Sequence, residues 1–128
     1  MIALLSLLLM AGEPALDCDR AGTQMAMNRC AHLDYEAADA ALNAQWKITA
    51  AAMKQRDTDL DREYDTRQGY FGTLLAAQRA WLAYRDAHCR SEGYFARGGS
   101  MEPMLVSGCL AQLTRVRTDQ LAELVGTY

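Results

Sequence analysis

The chain of 128 residues has few of the residues that interrupt helices or attract nucleic acid. Proline occurs only at Pro14 and Pro103, and lysine only at Lys47 and Lys54. Hydrophobic residues make up 51% of the chain and charged residues 23%, which argues against a disordered or Pro/Gly-rich fibrous protein. Thirteen basic against 16 acidic residues give a net charge of −3, so we expect no nucleic-acid partner. The length suits a single domain.

Signatures of catalytic and metal sites are also missing. The sequence contains no G-x-S-x-G, no H-E-x-x-H and no phosphate-binding loop, and His32 and His88 have no evident triad partners. Zinc ligands usually come in pairs that are close in sequence, and no C-x-x-C pair occurs. We therefore predict a protein that is not an enzyme and that uses no metal or other cofactor.

One long apolar run, IALLSLLLMAG, is present at positions 2–12. It is too short to span a bilayer, which takes about 20 residues, but it has the length of a signal-peptide core. No Lys or Arg precedes Arg20, so the usual basic start is missing, and a buried N-terminal helix is the alternative. A lipid anchor at Cys18 is disfavoured because Asp17 precedes it. We predict a signal peptide at 1–15, a single helical domain at 16–128, a periplasmic or secreted protein, and no stable membrane anchor.

Four cysteines in so short a chain need an explanation. Cys18, Cys30, Cys89 and Cys109 are separated by 12, 59 and 20 residues. A Cys–His nucleophile is disfavoured because the adjacent residues His88 and Cys89 would point in different directions on a helix. An even number of cysteines in a small exported domain predicts two disulfides, and three pairings are possible.

The first predicted helix begins at Gln24, after the N-cap residue Thr23. Apolar residues then recur every three or four positions over seven turns, with Asn28 and Asp39 at the edge of this stripe. The run RDTDLDREYDTR at 56–67 is either the solvated end of this helix or a short separate one. Gly69 and Gly72 would bracket the following turn.

The second predicted helix runs from about Thr73 to Glu92 and carries polar residues on its apolar face. Gln78 and Arg85 lie among Leu74, Trp81, Leu82 and Cys89. Because an unpaired buried guanidinium is costly, we expect a carboxylate beside Arg85. Asp39 is the first choice and Asp34 the second, and we interpret Asp39, Gln78 and Arg85 as a structural polar core.

A glycine-rich loop, GYFARGGS at 93–100, separates the second helix from the third. Ser100 would cap the third helix, Pro103 would lie in its first turn and Gly126 would end it. Its predicted apolar stripe consists of Val106, Leu110, Leu113, Val116, Leu121 and Leu124. With no strand-like alternation, we predict an all-α fold, an antiparallel three-helix arrangement with a long first helix and disulfides at one end.

This topology brings all four cysteines to one end of the bundle. We favour the pairs Cys18–Cys30 and Cys89–Cys109, which close short loops of 12 and 20 residues. Each would contribute roughly 3 kcal/mol in the chain-entropy model. The pair Cys30–Cys109, which would join the first and third helices, is the competing arrangement.

Several sequence blocks together resemble the LprI-like lysozyme-inhibitor family of small exported four-cysteine proteins. They are T-Q-x-x-M-N-x-C-A at 23–31, A-Q-R-A-W-L-A-Y-R-D-A-x-C at 77–89 and L-T-R-x-R at 113–117. The resemblance covers about Cys18 to Leu124, and it implies a protein partner such as a lysozyme. One member of this family is known as a lipoprotein. The lipid-anchor signal of that member is not present at Cys18 in this sequence.

Two functions follow from the resemblance. The protein either blocks a muramidase by protein–protein contact or serves as a non-inhibitory envelope accessory or structural binding module. A muramidase cleft works with two carboxylates, so a basic or hydrogen-bonding projection would suit it. The loop from Tyr94 to Ser100, with Arg97 among its glycines, is the predicted binding site, and Tyr94, Arg97 and Ser100 are its candidate contact residues.

Overall fold

The computed structural model describes residues 15–126, and within this range the protein is all-helical. Its three long helices are α1 (Gln24–Thr58), α2 (Tyr70–Gly93) and α3 (Glu102–Gly126). Single 3-10 turns occupy Cys18–Arg20 and Tyr94–Ala96. The predicted all-α, three-helix fold is confirmed. Nearly all of the predicted signal peptide lies outside the described residues.

The helix α1 begins as predicted, and the acidic and basic run that follows it is largely not helical. Thr23 Oγ1 accepts a hydrogen bond from the backbone N–H of Ala26 at 3.1 Å. The helix then includes only the first three residues of the run at 56–67, so the alternative of a short separate helix is wrong. Asp61 and Asp65 accept hydrogen bonds from the backbone N–H groups two residues further on, a local pattern that competes with helix.

The helix α2 begins at Tyr70, three residues earlier than predicted, because a distant side chain caps it. Both oxygens of Asp57 accept backbone hydrogen bonds, from Tyr70 at 2.6 Å and from Phe71 at 3.1 Å. A Cβ at Gly69 would lie 2.6 Å from Asp57 Oδ1, so a larger residue here would displace the capping carboxylate. Gly72 is inside α2, and the prediction that it borders the turn is wrong.

The three helices run up, down and up, so that α1 and α3 are parallel neighbours. Hydrogen bonds from side chains along α1 reach the backbone of α3 and of the loop before it: Asn28 Nδ2 to Ser100 O at 2.9 Å, Thr49 Oγ1 to Leu121 O at 2.8 Å and Arg56 Nη2 to Leu124 O at 3.2 Å. The α1–α3 interface is the most extensive of the three. The hydrophobic core shared by all three helices contains Leu42, Met53, Leu74 and Leu121, with Trp46, Phe71 and Trp81 packed against it.

The inner face of α3 differs from the predicted apolar stripe. Val116 is 49% exposed and Leu124 is 37% exposed, whereas Ala111 and Thr114 are almost completely buried. Small side chains at the interface let two helices approach closely, so residue size decides this face more than hydrophobicity does. Ser100 does not begin this helix: the backbone N–H of Leu105 donates to Met101 O, which makes Met101 the cap position.

Both favoured disulfides are present. Cys18–Cys30 ties the 3-10 lead-in to α1, and Cys89–Cys109 joins the end of α2 to the first turns of α3. The competing pair Cys30–Cys109 is therefore wrong. None of the helices between residues 15 and 126 is both long and apolar enough to cross a membrane.

Candidate functional site

The loop Tyr94–Ser100 is a series of tight turns between α2 and α3. The backbone N–H of Arg97 donates to Tyr94 O at 3.1 Å, and that of Gly99 donates to Ala96 O at 2.8 Å. Gly98 has a φ of +78°, in the left-handed region that favours glycine. The loop thus satisfies much of its backbone internally and needs few side chains to hold its shape.

Three anchors fix the ends of this loop. The Cys89–Cys109 disulfide beneath it is buried, with Cys89 0% and Cys109 4% exposed. Gly93 lies so close to α3 that a Cβ there would collide with Val106 Cγ2. On the other side, Ser100 O accepts the hydrogen bond from Asn28 of α1. The loop is therefore attached both to its own two helices and to the third.

The loop presents two aromatic side chains and one guanidinium to solvent. Phe95 is 87% exposed and Tyr94 is 51% exposed. The guanidinium of Arg97 lies 4.3 Å from the centroid of the Tyr94 ring, in cation–π geometry, and Arg97 is itself exposed. These neighbouring exposed side chains are therefore available for contact with a partner.

One cluster of possible metal ligands lies next to the loop, and its chemistry argues against a metal site. His88, Glu92 and Cys109 place one ligand atom each within 4.8 Å of one another. The sulfur of Cys109 is bonded to Cys89, so it is not available as a thiolate. The remaining His88 and Glu92 form an i,i+4 pair at 3.1 Å, and the His88 ring stacks on Tyr84.

The chain matches the family model described as "Lysozyme inhibitor LprI" over residues 17–121. The chain belongs to the LprI family. It is also 52% identical over 118 residues to an uncharacterized protein of Rhizobium meliloti (strain 1021), a match covering 90% of this chain and 83% of that protein. No solved structure matches it. Membership of an inhibitor family and two disulfides suggest an exported protein that works without catalysis.

Three residues of the strongest LprI-like sequence block, Ala77 to Cys89, are buried and support the fold. Gln78 is 7% exposed, Arg85 6% and Cys89 0%. The block therefore does not form the exposed surface of the loop. Within this LprI protein, the exposed residues Tyr94, Phe95 and Arg97 lie just after it in the chain.

Asp39 is a partner of Arg85, as predicted, but two further groups lie closer to the guanidinium. Its Nη1 lies 4.0 Å from Asp39 Oδ1, so the first-choice ion pair is present but long. Shorter contacts join Arg85 Nη2 to Asp86 Oδ1 at 2.9 Å and Arg85 Nη1 to Thr114 Oγ1 at 3.2 Å. The second choice, Asp34, is wrong. It pairs with Arg115 at 2.5 Å, and this hydrogen bond lowers the pKa of Asp34.

The residues predicted to form a polar core with Arg85 have hydrogen-bond partners of their own. Asp39 accepts a hydrogen bond from Asn43, and Gln78 Oε1 accepts one from Arg117 Nε at 2.9 Å, so Asp39, Gln78 and Arg85 do not form one network. Tyr35 and Trp81 instead flank the Arg85 guanidinium, at 5.5 and 5.1 Å from the ring centroids. In this LprI-family core, aromatic rings and a neutral hydroxyl stabilise the buried Arg85 guanidinium as well as carboxylates do.

Two residues of these contacts, Phe95 and Asp86, are not predicted from the sequence. Phe95, the most exposed aromatic residue of the loop, was not among the candidate contacts, because hydrophobicity alone favours burial. Its position among glycines and next to Tyr94 was the available signal. Asp86 was missed because neighbours in a helix usually face different directions. Ser100, predicted as a contact residue of the loop, accepts the hydrogen bond from Asn28 with its backbone oxygen.

Proposed function

We propose that this protein binds a lysozyme-type muramidase and blocks its substrate cleft, with the loop Tyr94–Ser100 at the centre of the interface. Membership of the LprI family supports the kind of target. The observation that carries the proposal is the 87% exposure of Phe95 on a loop whose base is closed by the buried Cys89–Cys109 disulfide.

The chemistry of the loop suits such a cleft. Muramidase clefts bind apolar sugar faces and work with two carboxylates. Phe95 and Tyr94 would cover the apolar walls, and the Arg97 guanidinium would approach the carboxylates. Tyrosine and arginine are over-represented among the residues that dominate binding energy. Since the disulfide already orders the loop, little conformational entropy is lost on binding.

Net charge contributes less than these local contacts. Without residues 1–15, which include Glu13, the balance is 13 − 15 = −2. A basic muramidase would be attracted only weakly by this charge, so binding should depend mainly on the loop. The proposed location is the periplasm or the secreted fraction, where disulfides persist and where a muramidase reaches its substrate.

The test is a muramidase assay with oxidised protein against several lysozyme types. We expect inhibition that weakens at least tenfold on Phe95→Ala and at least tenfold on Arg97→Ala. Tyr64→Ala is the matched control, because Tyr64 is 83% exposed and lies on the connection at the opposite end of the bundle. Its inhibition should equal that of the unchanged protein.

Three results would contradict the proposal at different levels. If the panel shows neither inhibition nor a complex at micromolar concentration, lysozyme inhibition is wrong. If Phe95→Ala and Arg97→Ala inhibit as well as the unchanged protein, the loop lies outside the interface. A complex without inhibition would instead indicate an accessory binding module.

A further inference from the structure

A groove of about 940 Å³ opens at the end of the bundle opposite the loop Tyr94–Ser100. It lies between the first turns of α2 and the second half of α3, and the α1–α2 connection forms its rim. Its volume falls in the range of small-molecule sites. Apolar side chains form most of its wall: Met53, Leu60, Tyr70, Leu74, Ala77 and Leu124.

The charged residues of the groove are predominantly basic. They are Arg56, Arg67, Arg117 and Asp65. Arg67 binds Asp65 through two hydrogen bonds, Nη2 to Oδ2 at 2.7 Å and Nε to Oδ1 at 2.9 Å, so these two charges offset each other. The positive charges of Arg56 and Arg117 remain in the lining.

Arg117 is the unusual member of this set, because it is partly buried beside neutral groups. Its Nε donates to Gln78 Oε1 at 2.9 Å, and its Nη1 donates to Gln120 Oε1 at 3.3 Å. Burial lowers the pKa of Arg117, without an opposing contribution from a carboxylate. A guanidinium has five N–H donors, and these two hydrogen bonds leave donors for a further acceptor.

The buried amide of Gln78 holds Arg117 at the groove. Gln78 is 7% exposed and lies on α2, whereas Arg117 projects from α3. The hydrogen bond between them keeps the guanidinium from extending into solvent, where it would be better hydrated. A cation held in this way beside apolar walls is arranged to meet an anion that carries an apolar group.

We propose that this groove binds a single-chain fatty-acid carboxylate. The carboxylate would pair with Arg117, and the chain would lie along Leu60, Leu74 and Leu124. Charge complementarity selects an anion, and the apolar wall selects one with a hydrocarbon body over a small inorganic anion. The site is independent of the muramidase-binding loop, which lies at the other end of the bundle.

The test is a calorimetric titration of the oxidised protein with decanoate and with 1-decanol, both below the concentrations at which they aggregate. We expect saturable 1:1 binding of decanoate, at least tenfold tighter than binding of the neutral alcohol of equal length. Backbone amide NMR shifts should change at the groove residues and not at Phe95. Absence of saturable decanoate binding would overturn the proposal, as would shifts confined to the other end.

Two variants distinguish the contribution of the Arg117 charge to binding from that of the apolar wall. Arg117→Gln should weaken decanoate binding at least tenfold and leave 1-decanol binding unchanged. Leu60→Asp, in the exposed connection, should weaken both ligands and serves as the second variant if Arg117→Gln folds poorly. Arg29→Gln, an exposed arginine near the Cys18–Cys30 disulfide, is the matched control and should bind normally.

Two further outcomes decide the result. Undiminished decanoate binding by folded Arg117→Gln and Leu60→Asp variants would rule out this groove. Muramidase inhibition by Arg117→Gln should equal that of the unchanged protein, so a failure of the groove proposal and a failure of the inhibition proposal would be seen in different assays.

Discussion

The two ends of the bundle are held together by different means. At one end, the Cys18–Cys30 and Cys89–Cys109 disulfides lie beside the loop Tyr94–Ser100. At the other end, the α1–α2 connection is held by hydrogen bonds from side chains to backbone. Asp57 caps α2, and Arg62 Nη1 donates to Arg67 O at 2.6 Å.

The difference shows how each end can present a surface. A covalent link fixes the loop without using its side chains, so Phe95 and Arg97 remain free to project into solvent. The connection instead uses its charged side chains for its own shape, as Arg67 and Asp65 do. The disulfide end therefore offers a projection, whereas the connection end encloses a groove.

The largest expected effect follows from removing the covalent link at the loop. Replacing both Cys89 and Cys109 by Ala should lower the free energy of unfolding by roughly 3 kcal/mol, because a 20-residue loop is no longer closed in the unfolded chain. Urea denaturation monitored by circular dichroism measures this loss. Muramidase inhibition, where it is observed, should weaken in parallel because the loop loses its rigid base.

The matched control is the double replacement of Cys18 and Cys30 by Ala. The Cys18–Cys30 disulfide tethers the lead-in at 15–20, which is exposed. Without this disulfide, the lead-in gains conformational freedom in the folded state as well as in the unfolded state. The gain of entropy in the unfolded chain is then partly offset, and the loss of stability should be smaller. Equal losses for the two pairs would show that the ends do not differ in this way.

The sequence predicted the regular parts of this comparison well. Thr23 marked the start of α1, Gly93 the end of α2, and spacing with topology favoured the correct disulfides over Cys30–Cys109. These features depend on local capping and on helical periodicity, which a sequence displays directly. The common end of all four cysteines followed from the order of the three helices.

The parts that failed depend on contacts between residues distant in sequence or on residue size. Asp57 caps a helix that begins 13 residues later, and this contact has no local signature. The inner face of α3 uses Ala111 and Thr114 in place of Val116, because close helix packing selects small side chains. Exposure of Phe95 likewise depends on where the loop projects, which hydrophobicity does not indicate.

A smaller effect is expected at the connection end. Asp57→Ala removes the acceptor of two backbone hydrogen bonds at the start of α2 and should cost about 1–2 kcal/mol of unfolding free energy. Asp59→Ala, two residues away, is the control, because Asp59 is exposed and its carboxylate interacts locally with Thr58. Thermal or urea unfolding of both variants gives the comparison.

Gly69→Ala tests whether the cap requires this close approach. The added Cβ would lie 2.6 Å from Asp57 Oδ1, so this substitution alone should lower the free energy of unfolding. In an Asp57→Ala background the obstacle is gone, and the same substitution should cost clearly less. Additive costs in the double variant would contradict a cap made by Asp57 over Gly69.

The smallest effect concerns acid, and it should be confined to the connection end. Hydrogen bonds from the side chain and backbone N–H of Arg67 lower the pKa of Asp65 from 3.8 to about 2. Because the pKa is lower in the folded state, this contact contributes its stabilisation above about pH 4 and loses it as the pH falls towards 2. Since Asp65 is partly exposed and Arg67 is largely exposed, the change in global stability should be slight, and the titration of the Asp65 carboxyl carbon by NMR is the sensitive measurement. In Arg67→Gln the midpoint of the Asp65 titration should move up towards 3.8. Amide signals of the loop Tyr94–Ser100 should not follow this titration, because the disulfide that anchors the loop has no titrating group. A midpoint that stays near 2 in Arg67→Gln would show that Arg67 does not set the pKa of Asp65.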